Sequence, residues 1–238
     1  TIVAVRRDVM KQYLSITKQA GLKVEVLDSG VSSLIRLHRH LCGMAGNPEI
    51  LCSIGHSKSL LAIVTTETIL AQRDVPWGIN VIYEGILRNF ELSNDKDQAI
   101  NMLKRYGLAY EDRPSPAMGR GEPGAGTTHD EATVSISRSI FQIITPYLEE
   151  LVHEFHKMIG YIRSEEKNPV FKGIYMYGQA ILIHYLDRYL ESRLNIPTKL
   201  INPLEKFSLA GNIRLPKASQ GAPLALTLGL AMRKVSWL

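Results

Sequence analysis

The chain has 238 residues, of which 45% are hydrophobic and 21% are charged. This length holds one large domain or two small ones, and the apolar fraction is sufficient for a buried core. The formal charge of +5 comes from Lys and Arg residues that are scattered in short runs, which disfavours nucleic-acid binding and favours an ordinary solvated surface. No stretch approaches the roughly 18 to 20 uninterrupted apolar residues of a membrane span, so we expect none.

The first residues and the two cysteines add two expectations. Thr1 leads directly into the apolar residues 2–5, like a strand entered without a lead, so we expect a fragment whose N-terminal part is missing. Cys42 and Cys52 lack metal-ligand spacing and predict a reduced pair, as in a cytosolic protein. Both are expected to pack as small apolar residues.

The first half of the chain alternates between strand and helix patterns. Residues 2–28 predict a strand, a helix that Asp8 caps and Gly21 ends, and a second strand over residues 22–26. Ser32 then predicts the start of another helix. Three strands with short turns predict an antiparallel meander, and two helices follow; these five elements are expected near residues 50–54, 59–65, 68–75, 79–90 and 95–106.

The second half begins with a segment rich in Pro and Gly. Residues 111–132 carry almost no large apolar side chain and predict a flexible surface insertion. A long amphipathic helix that is kinked or restarted at Pro146 follows it. The remaining expected elements are a buried strand (170–176), a glycine turn (177–180), a helix (182–194), a short strand (200–202), an irregular segment (203–221) and a closing helix (224–234).

Two glycine turns, at Gly55 and Gly178, each follow a buried strand. A phosphate needs several backbone N–H groups that point at one spot, and small-residue turns or helix N-termini supply them. Ser57 and Ser59 would add hydroxyl donors, and Lys58 would add a charge. A plain structural turn is the commoner explanation of each one taken alone.

Other candidate residues give weaker signals. His38 and His40 are two residues apart, so a helix separates them and we expect solvated side chains. His153 and His156 have better spacing, but their order with Glu154 is not that of a zinc hydrolase, so we expect a helix rim. The sequence contains no Gly-x-Ser-x-Gly, Walker or Cys-x-x-Cys motif, which leans away from an enzyme.

Five segments occur in an order and at spacings that resemble those of one protein family. They are "TIVAVRRDVMKQYLSITKQAGLKVEVLD", "CSIGHSKSLLAIV", "QAINMLKRYG", "GIYMYGQAILIHYLDRYLESRLNIPTKLINP" and "LALTLGLAMR". The chain resembles the type IV pilus assembly protein PilM family, relatives of the cell-division protein FtsA in the actin-like ATPase superfamily. The resemblance covers nearly the whole chain.

The resemblance implies an α/β fold of the actin-like (ribonuclease H-like) ATPase type, with a truncated first lobe and a complete second lobe. Residues 1–48 would be the remnant of the inserted subdomain and of the first core subdomain. Residues 49–221 would form the second lobe, with the flexible insertion at about 111–132. Residues 222–238 would form a closing helix that packs on the first lobe.

The resemblance identifies the two glycine turns as the second phosphate hairpin and the adenosine turn of an ATP and magnesium site. The residues concerned are Gly55, His56, Ser57, Lys58, Ser59, Gly178, Gln179 and Ala180. Three departures put that site in doubt. Ser53 replaces the Asp that helps to hold hydrated magnesium, Gln179 replaces a second glycine, and residues 99–103 read "AINML" where the family has Ala-Glu-x-x-Lys. We therefore predict weakened or lost nucleotide binding, no metal ligands and no catalytic residues.

The resemblance implies a non-catalytic cytoplasmic adaptor of the type IV pilus inner-membrane platform, peripheral to the membrane. A groove in its first lobe would take the cytoplasmic tail of a PilN-like membrane protein, and other platform components would be further partners. The alternatives are an FtsA-like division protein, the cytoplasmic domain of a type II secretion platform protein, and an active actin-like ATPase or sugar kinase. We expect neither the amphipathic membrane helix of the first nor the membrane span of the second, and Ser53 argues against the third.

Overall fold

A computed structural model describes residues 4–44, 46–90, 96–106, 108, 128–207, 221 and 223–234. Its centre is a five-stranded mixed sheet with the strand order β3-β2-β1-β4-β5. The strands are β1 (Glu49–Ile54), β2 (Ser59–Val64), β3 (Ile69–Val75), β4 (Gly173–Gly178) and β5 (Thr198–Leu200). Strands β1 to β3 pair antiparallel, which confirms the predicted meander, whereas β4 runs parallel to both β1 and β5.

Helices surround the sheet. They are α1 (Arg7–Gln19), α2 (Gly30–Cys42), α3 (Ile79–Asn89), α4 (Lys96–Tyr106), α5 (Thr128–Glu165), α6 (Leu186–Leu194) and α7 (Ala225–Ala231). Two short 3-10 turns cover Gln179–Leu182 and Pro203–Lys206. None of the helices in the described part of the chain combines the length and the apolar character needed to cross a membrane.

The two faces of the sheet carry two separate cores. Helices α3 to α6 pack on one face, where Ile50, Cys52 and Ile54 of β1 are buried. Helices α2 and α7 pack on the other face, over Leu51 and its neighbours. Because successive strand residues point to opposite faces, burial on both faces explains why β1 and β2 are buried along their whole length.

The closing helix α7 is fixed against α2. A Cβ on Gly229 would lie 2.1 Å from the carbonyl oxygen of Ser33, so the two helices touch where a larger residue would not fit. Asp28 forms ion pairs with Arg36 of α2, at 2.7 Å, and with Arg233 beyond α7, at 2.9 Å. Burial alone would raise the pKa of Asp28, but these two arginines lower it. The closing helix is thus confirmed, over a shorter span than predicted.

The predicted strands near the start are wrong where the structure describes them. Residues 4–5 and 22–26 have no regular structure, and no described strand runs beside them, although a strand needs a hydrogen-bonded partner; residues 1–3 lie outside the described part. The helix between them is confirmed as α1. Its N-cap is Arg6 and not Asp8, which instead lies in the first turn and pairs with Arg6. Gly21 follows its end with a φ of +72°, as predicted.

The helix α2 begins earlier than predicted. Ser29, not Ser32, is its N-cap, and the Ser29 side chain accepts the Ser32 N–H at 3.2 Å. Both cysteines are free thiols; Cys52 is buried, but Cys42, at the end of α2, is exposed and does not pack as predicted.

The long helix α5 differs from its prediction in two ways. It begins at Thr128, so residues 128–132 of the predicted insertion are helical, while residues 109–127 lie outside the described part. It also runs unbroken through Pro146, so it does not restart there. Pro146 and Gln142, whose carbonyl loses its helical donor, are both exposed, so water can satisfy that carbonyl.

The strand, the glycine turn, the helix and the short strand that follow α5 are confirmed in type and shifted in position. Of the predicted irregular segment, Pro203–Lys206 forms a 3-10 turn, and residues 208–220 lie outside the described part. The strand β4 starts at Gly173, three residues later than predicted, and Val170 lies outside the sheet with 69% of its surface exposed. The helix α6 starts at Leu186, after the 3-10 turn. The strand β5 covers Thr198–Leu200, two residues ahead of the prediction.

Candidate functional site

The first predicted turn is a tight hairpin between β1 and β2. The N–H of Gly55 donates to the carbonyl of Lys58 at 2.9 Å, which closes the turn. A Cβ on Gly55 would lie 2.5 Å from that same carbonyl oxygen, so the turn itself requires glycine. His56, Ser57 and Lys58 are exposed at the tip.

The start of α3 holds this hairpin in place. The N–H groups of Ile79 and Asn80 donate to the carbonyls of Gly55 and His56, at 3.1 and 3.0 Å. A Cβ on Gly78 would lie 2.3 Å from the carbonyl oxygen of His56. Gly78 is therefore a structural part of the site that the sequence reasoning missed, although a glycine between a strand and a helix was the available signal. These two N–H groups of α3 are already used and do not point at a ligand.

The second predicted turn lies beside the first. Gly178 ends β4 and pairs with Ile54 of the parallel strand β1, so the structure brings the two glycine turns together at one end of the sheet. Gly178 has a φ of +70°, and a Cβ there would lie 2.2 Å from the carbonyl oxygen of Ile54. The contact between strands is thus sufficient to require glycine. Gln179, half-buried, and Ala180, buried, open the 3-10 turn.

The side chains near the hairpin offer few oxygen ligands to a magnesium ion. Ser53 is only 7% exposed and lies beside a pocket of about 300 Å³ at the hairpin. Asp74, which is the only carboxylate among the described residues that line this pocket, lies two strands away, or about 10 Å in a sheet. The Ser59 hydroxyl, expected to donate to a phosphate, donates to the carbonyl of Trp77 at 2.6 Å instead.

One face of the helix α4 packs against the core. Ala99 and Leu103 are buried, and Ile100 packs against the same core. The positions where the family has its polar nucleoside contacts are therefore used for packing in this chain. Among the described residues, no group of three or more His, Cys, Asp and Glu side chains could hold a metal.

A buried polar network lies on the other face of the sheet, and the sequence reasoning missed it. His38 of α2 is fully buried, so its predicted solvated position is wrong. Its Nδ1 lies 2.6 Å from the Tyr177 hydroxyl, and its Nε2 lies 2.7 Å from a carboxylate oxygen of Glu49. The other oxygen of Glu49 accepts from Lys172 Nζ at 2.7 Å. The predictions for His40, His153 and His156 are confirmed, since all three are exposed.

The charges of this network are fixed by burial and by its hydrogen bonds. Burial lowers the pKa of His38 and outweighs the opposing effect of Glu49. Burial would raise the pKa of Glu49, but Lys172 and His38 together lower it. His38 is therefore neutral: its Nε2–H donates to the ionised Glu49, and its Nδ1 accepts from the Tyr177 hydroxyl. Helical spacing was the available signal for His38, since Leu34 and Leu41 share its face of α2.

The chain is similar to several known proteins. Residues 131–235 match the family model of the type IV pilus assembly protein PilM. A chain of a PilM–PilN type IV pilus biogenesis complex superimposes with a TM-score of 0.68 and 22% identity, covering 96% of this chain and 58% of that one. MamK in a double helical filament gives a TM-score of 0.60 with 14% identity, covering 98% and 68%. MreB5 of Spiroplasma citri bound to ADP gives 0.56 with 16% identity, covering 96% and 65%.

These similarities confirm the predicted fold class and the resemblance to PilM. The chain spans 58% of the length of the matched chain from the PilM–PilN complex. The division into a partial first lobe, a second lobe and a closing helix remains a prediction, as does nucleotide contact at the eight turn residues. The chain has the actin-like α/β fold, and its residues 131–235 carry the sequence pattern of the type IV pilus assembly protein PilM.

Proposed function

We propose that this chain is part of a non-catalytic cytoplasmic adaptor of the type IV pilus inner-membrane platform, which binds the cytoplasmic tail of a PilN-like membrane protein. The observation that carries the proposal is the apolar surface around α1, which the described residues leave exposed. None of the residues of α1 is buried, although Tyr13 and Ile16 are large apolar side chains and are each 62% exposed. Val5, Leu22 and Leu27 are also exposed around this helix.

A groove beside α1 gives this surface the shape of a docking site. It has a volume of about 500 Å³ and runs between α1 and the loop that leads into α2. Val5, Val9, Met10, Tyr13 and Leu27 supply its apolar lining. An extended tail that buries apolar side chains in such a groove needs no catalytic residue from the protein that holds it.

The comparisons support the identity of the partner. The matched PilM chain comes from a complex with PilN, and a PilN-like protein would bring this chain to the membrane from the cytoplasmic side. The described helices include none that could cross the membrane, so we attribute membrane association to the partner. Other platform components would then assemble on the same adaptor.

A weakened or lost ATP site is the second part of the proposal. The ADP-bound state of MreB5 shows that a similar fold holds a nucleotide. In this chain, the Ser59 hydroxyl donates its hydrogen bond to the carbonyl of Trp77, and Ser53 brings no charge to a hydrated cation. We infer that the hairpin keeps its shape because its glycines and α3 require that shape, and that the protein does not turn over ATP.

The tail-binding proposal is tested with the full-length protein and a synthetic peptide of the cytoplasmic tail of the PilN-like protein encoded beside it. Tyr13→Asp places a charge on the apolar surface and should weaken peptide affinity at least tenfold, as expected when a central aromatic anchor is lost. Tyr161→Asp is the matched control, because Tyr161 is 54% exposed on α5, away from the groove. Isothermal titration calorimetry gives both affinities.

A segment of a longer chain could cover α1 instead of a partner's tail. In that case Tyr13→Asp would lower the thermal unfolding midpoint of the full-length protein and leave peptide affinity equal to that of Tyr161→Asp. That outcome would overturn the proposal.

A further inference from the structure

A second pocket, of about 360 Å³, lies between the end of α2 and the strands β4 and β5. Three lysines line it, Lys172, Lys199 and Lys206, and no acidic residue is among its described lining residues. Lys172 precedes β4, whereas Gly178 ends that strand, and six strand residues span about 20 Å. This lysine pocket is therefore separate from the glycine turns.

Two of the three lysines are held in position by contacts with other residues of the chain. Lys172 Nζ lies 2.7 Å from Glu49, which is fully buried. Lys206 Nζ donates to the carbonyl of Leu41, in the last turn of α2. An ammonium group has three donors. Lys206 keeps two of them for a ligand, and Lys172, which also interacts with the Tyr175 hydroxyl, keeps one. Their side chains are already ordered, which lowers the entropy cost of binding.

The charge of the lysine pocket is not balanced by the described residues. Glu49 offsets the charge of Lys172. The other hydrogen-bond partner of Glu49, His38, is neutral. The Lys199 side chain makes no ion pair or hydrogen bond with any described residue, and Lys206 is held by an uncharged carbonyl. Two positive charges thus face one concave surface, and a dianion would relieve their repulsion.

We propose that the lysine pocket binds a phosphate monoester group. A phosphate monoester carries nearly two negative charges at neutral pH, which matches the two uncompensated lysines, and lysine binds phosphate as a point charge. Leu41, the ring of Tyr175 and Ile201 form an apolar wall for the body of the ligand. The volume is within the range of small-molecule sites, and the Asn202 side chain, which lines the same pocket, already accepts the N–H of Leu204.

Phosphate monoesters occur in soluble metabolites and in the lipid headgroup of phosphatidic acid. Phenyl phosphate is the soluble probe, measured by isothermal titration calorimetry at fixed ionic strength, since salt screens such contacts. Phosphatidylcholine vesicles with and without phosphatidic acid are the lipid probe, measured by co-sedimentation. Both use the full-length protein.

Lys199→Gln is the test variant, because Lys199 is exposed and its loss breaks no described contact. Lys167→Gln is the control for net charge, since Lys167 is exposed beyond the end of α5. Lys58→Gln is the control for the hairpin, where a phosphate would bind if the nucleotide site were intact. Thermal unfolding midpoints verify that all three variants fold.

Lys199→Gln should weaken binding of the preferred probe about fivefold, the upper range for one exposed charge pair, while both controls leave it unchanged. Preference for phenyl phosphate would identify a soluble ligand, and preference for the phosphatidic acid vesicles would identify a lipid. Absence of saturable binding of either probe at millimolar concentration would overturn the proposal. A larger loss in Lys58→Gln than in Lys199→Gln would also overturn it, because the phosphate would then lie at the hairpin. None of these outcomes depends on tail binding at α1.

Discussion

Tyr177→Phe is expected to destabilise the protein although it removes a single oxygen atom. The Tyr177 hydroxyl donates to Nδ1 of His38 across 2.6 Å, and both residues are fully buried. The neutral His38 already uses its Nε2–H for Glu49, at 2.7 Å. In the variant, Nδ1 of His38 therefore becomes a buried acceptor without a donor, while the ring at position 177 still fills its space.

The size of the effect follows from the state in which His38 is left. An ordinary intramolecular hydrogen bond contributes about 0.5–1.5 kcal/mol, but an unsatisfied buried partner costs about 1–3 kcal/mol. Among the described residues, the hydroxyl has one other hydrogen-bonding neighbour, Cys42 Sγ at 3.9 Å, and a thiol is a weak donor. We therefore expect a loss of about 1–3 kcal/mol, which for a chain of this size lowers the thermal midpoint by about 2–4 °C per kcal/mol.

The assay is urea denaturation at pH 7.5, with thermal unfolding as the second measurement. Tyr161→Phe is the matched control, because Tyr161 is 54% exposed and should change stability by less than about 0.5 kcal/mol. If Tyr177→Phe changes the free energy of unfolding no more than Tyr161→Phe does, the assignment of the His38 tautomer is refuted.

Three further predictions concern the buried network of His38 and the two glycine turns. Burial lowers the folded-state pKa of His38 below its ordinary value of 6.5, so the unfolded chain takes up the proton first as the pH falls. The free energy of unfolding should therefore decrease below about pH 6.5, with a slope of up to about 1.4 kcal/mol per pH unit. His38→Gln should flatten that slope in a series of denaturation curves between pH 7.5 and 5. Gly178→Ala should cost at least about 2 kcal/mol in urea denaturation because of the positive φ and the contact with Ile54, whereas Gly160→Ala, in open space on α5, should be neutral or stabilise by up to about 1 kcal/mol. Calorimetric titration of ATP with magnesium into the full-length protein should give binding that Ser53→Asp strengthens; micromolar binding left unchanged by that substitution would contradict a weakened site.

The sequence was sufficient to predict the meander because its information is local. Each of β1 and β2 is a short apolar run that ends at a turn, and consecutive strands joined by short turns pair antiparallel. The meeting of Gly55 and Gly178 came instead from the family resemblance, because β1 and β4 are more than 100 residues apart in the sequence. Composition and spacing alone do not say which parallel strand lies beside β1.

The features that the sequence did not predict share one property. Each depends on contacts with residues that are distant in the sequence. Residues 22–26 alternate as a strand does, but alternation forms a strand only beside a partner, and none of the described strands lies there. His38 shares a helix face with Leu34 and Leu41, yet its role depends on Glu49, Tyr177 and the way α2 lies on the sheet. Lys172 meets Glu49 of β1, and Lys206 meets the carbonyl of Leu41 in α2, only in the folded chain. Such contacts leave no mark in local periodicity.

The glycines of the two turns carry less functional information than their positions suggest. Gly55, Gly78 and Gly178 would each bring a Cβ within 2.5 Å of a backbone carbonyl oxygen of the protein itself, so the fold requires them whether or not a nucleotide binds. The residues that distinguish a working site from a structural one are those whose side chains would meet the ligand. In the proposed function, Ser53 and Gln179 are two such residues, since the family resemblance places both at the nucleotide and both depart from the ATPase pattern. On that proposal, side-chain substitution at these two positions weakens the nucleotide chemistry and leaves the sheet, the turns and the packing unchanged.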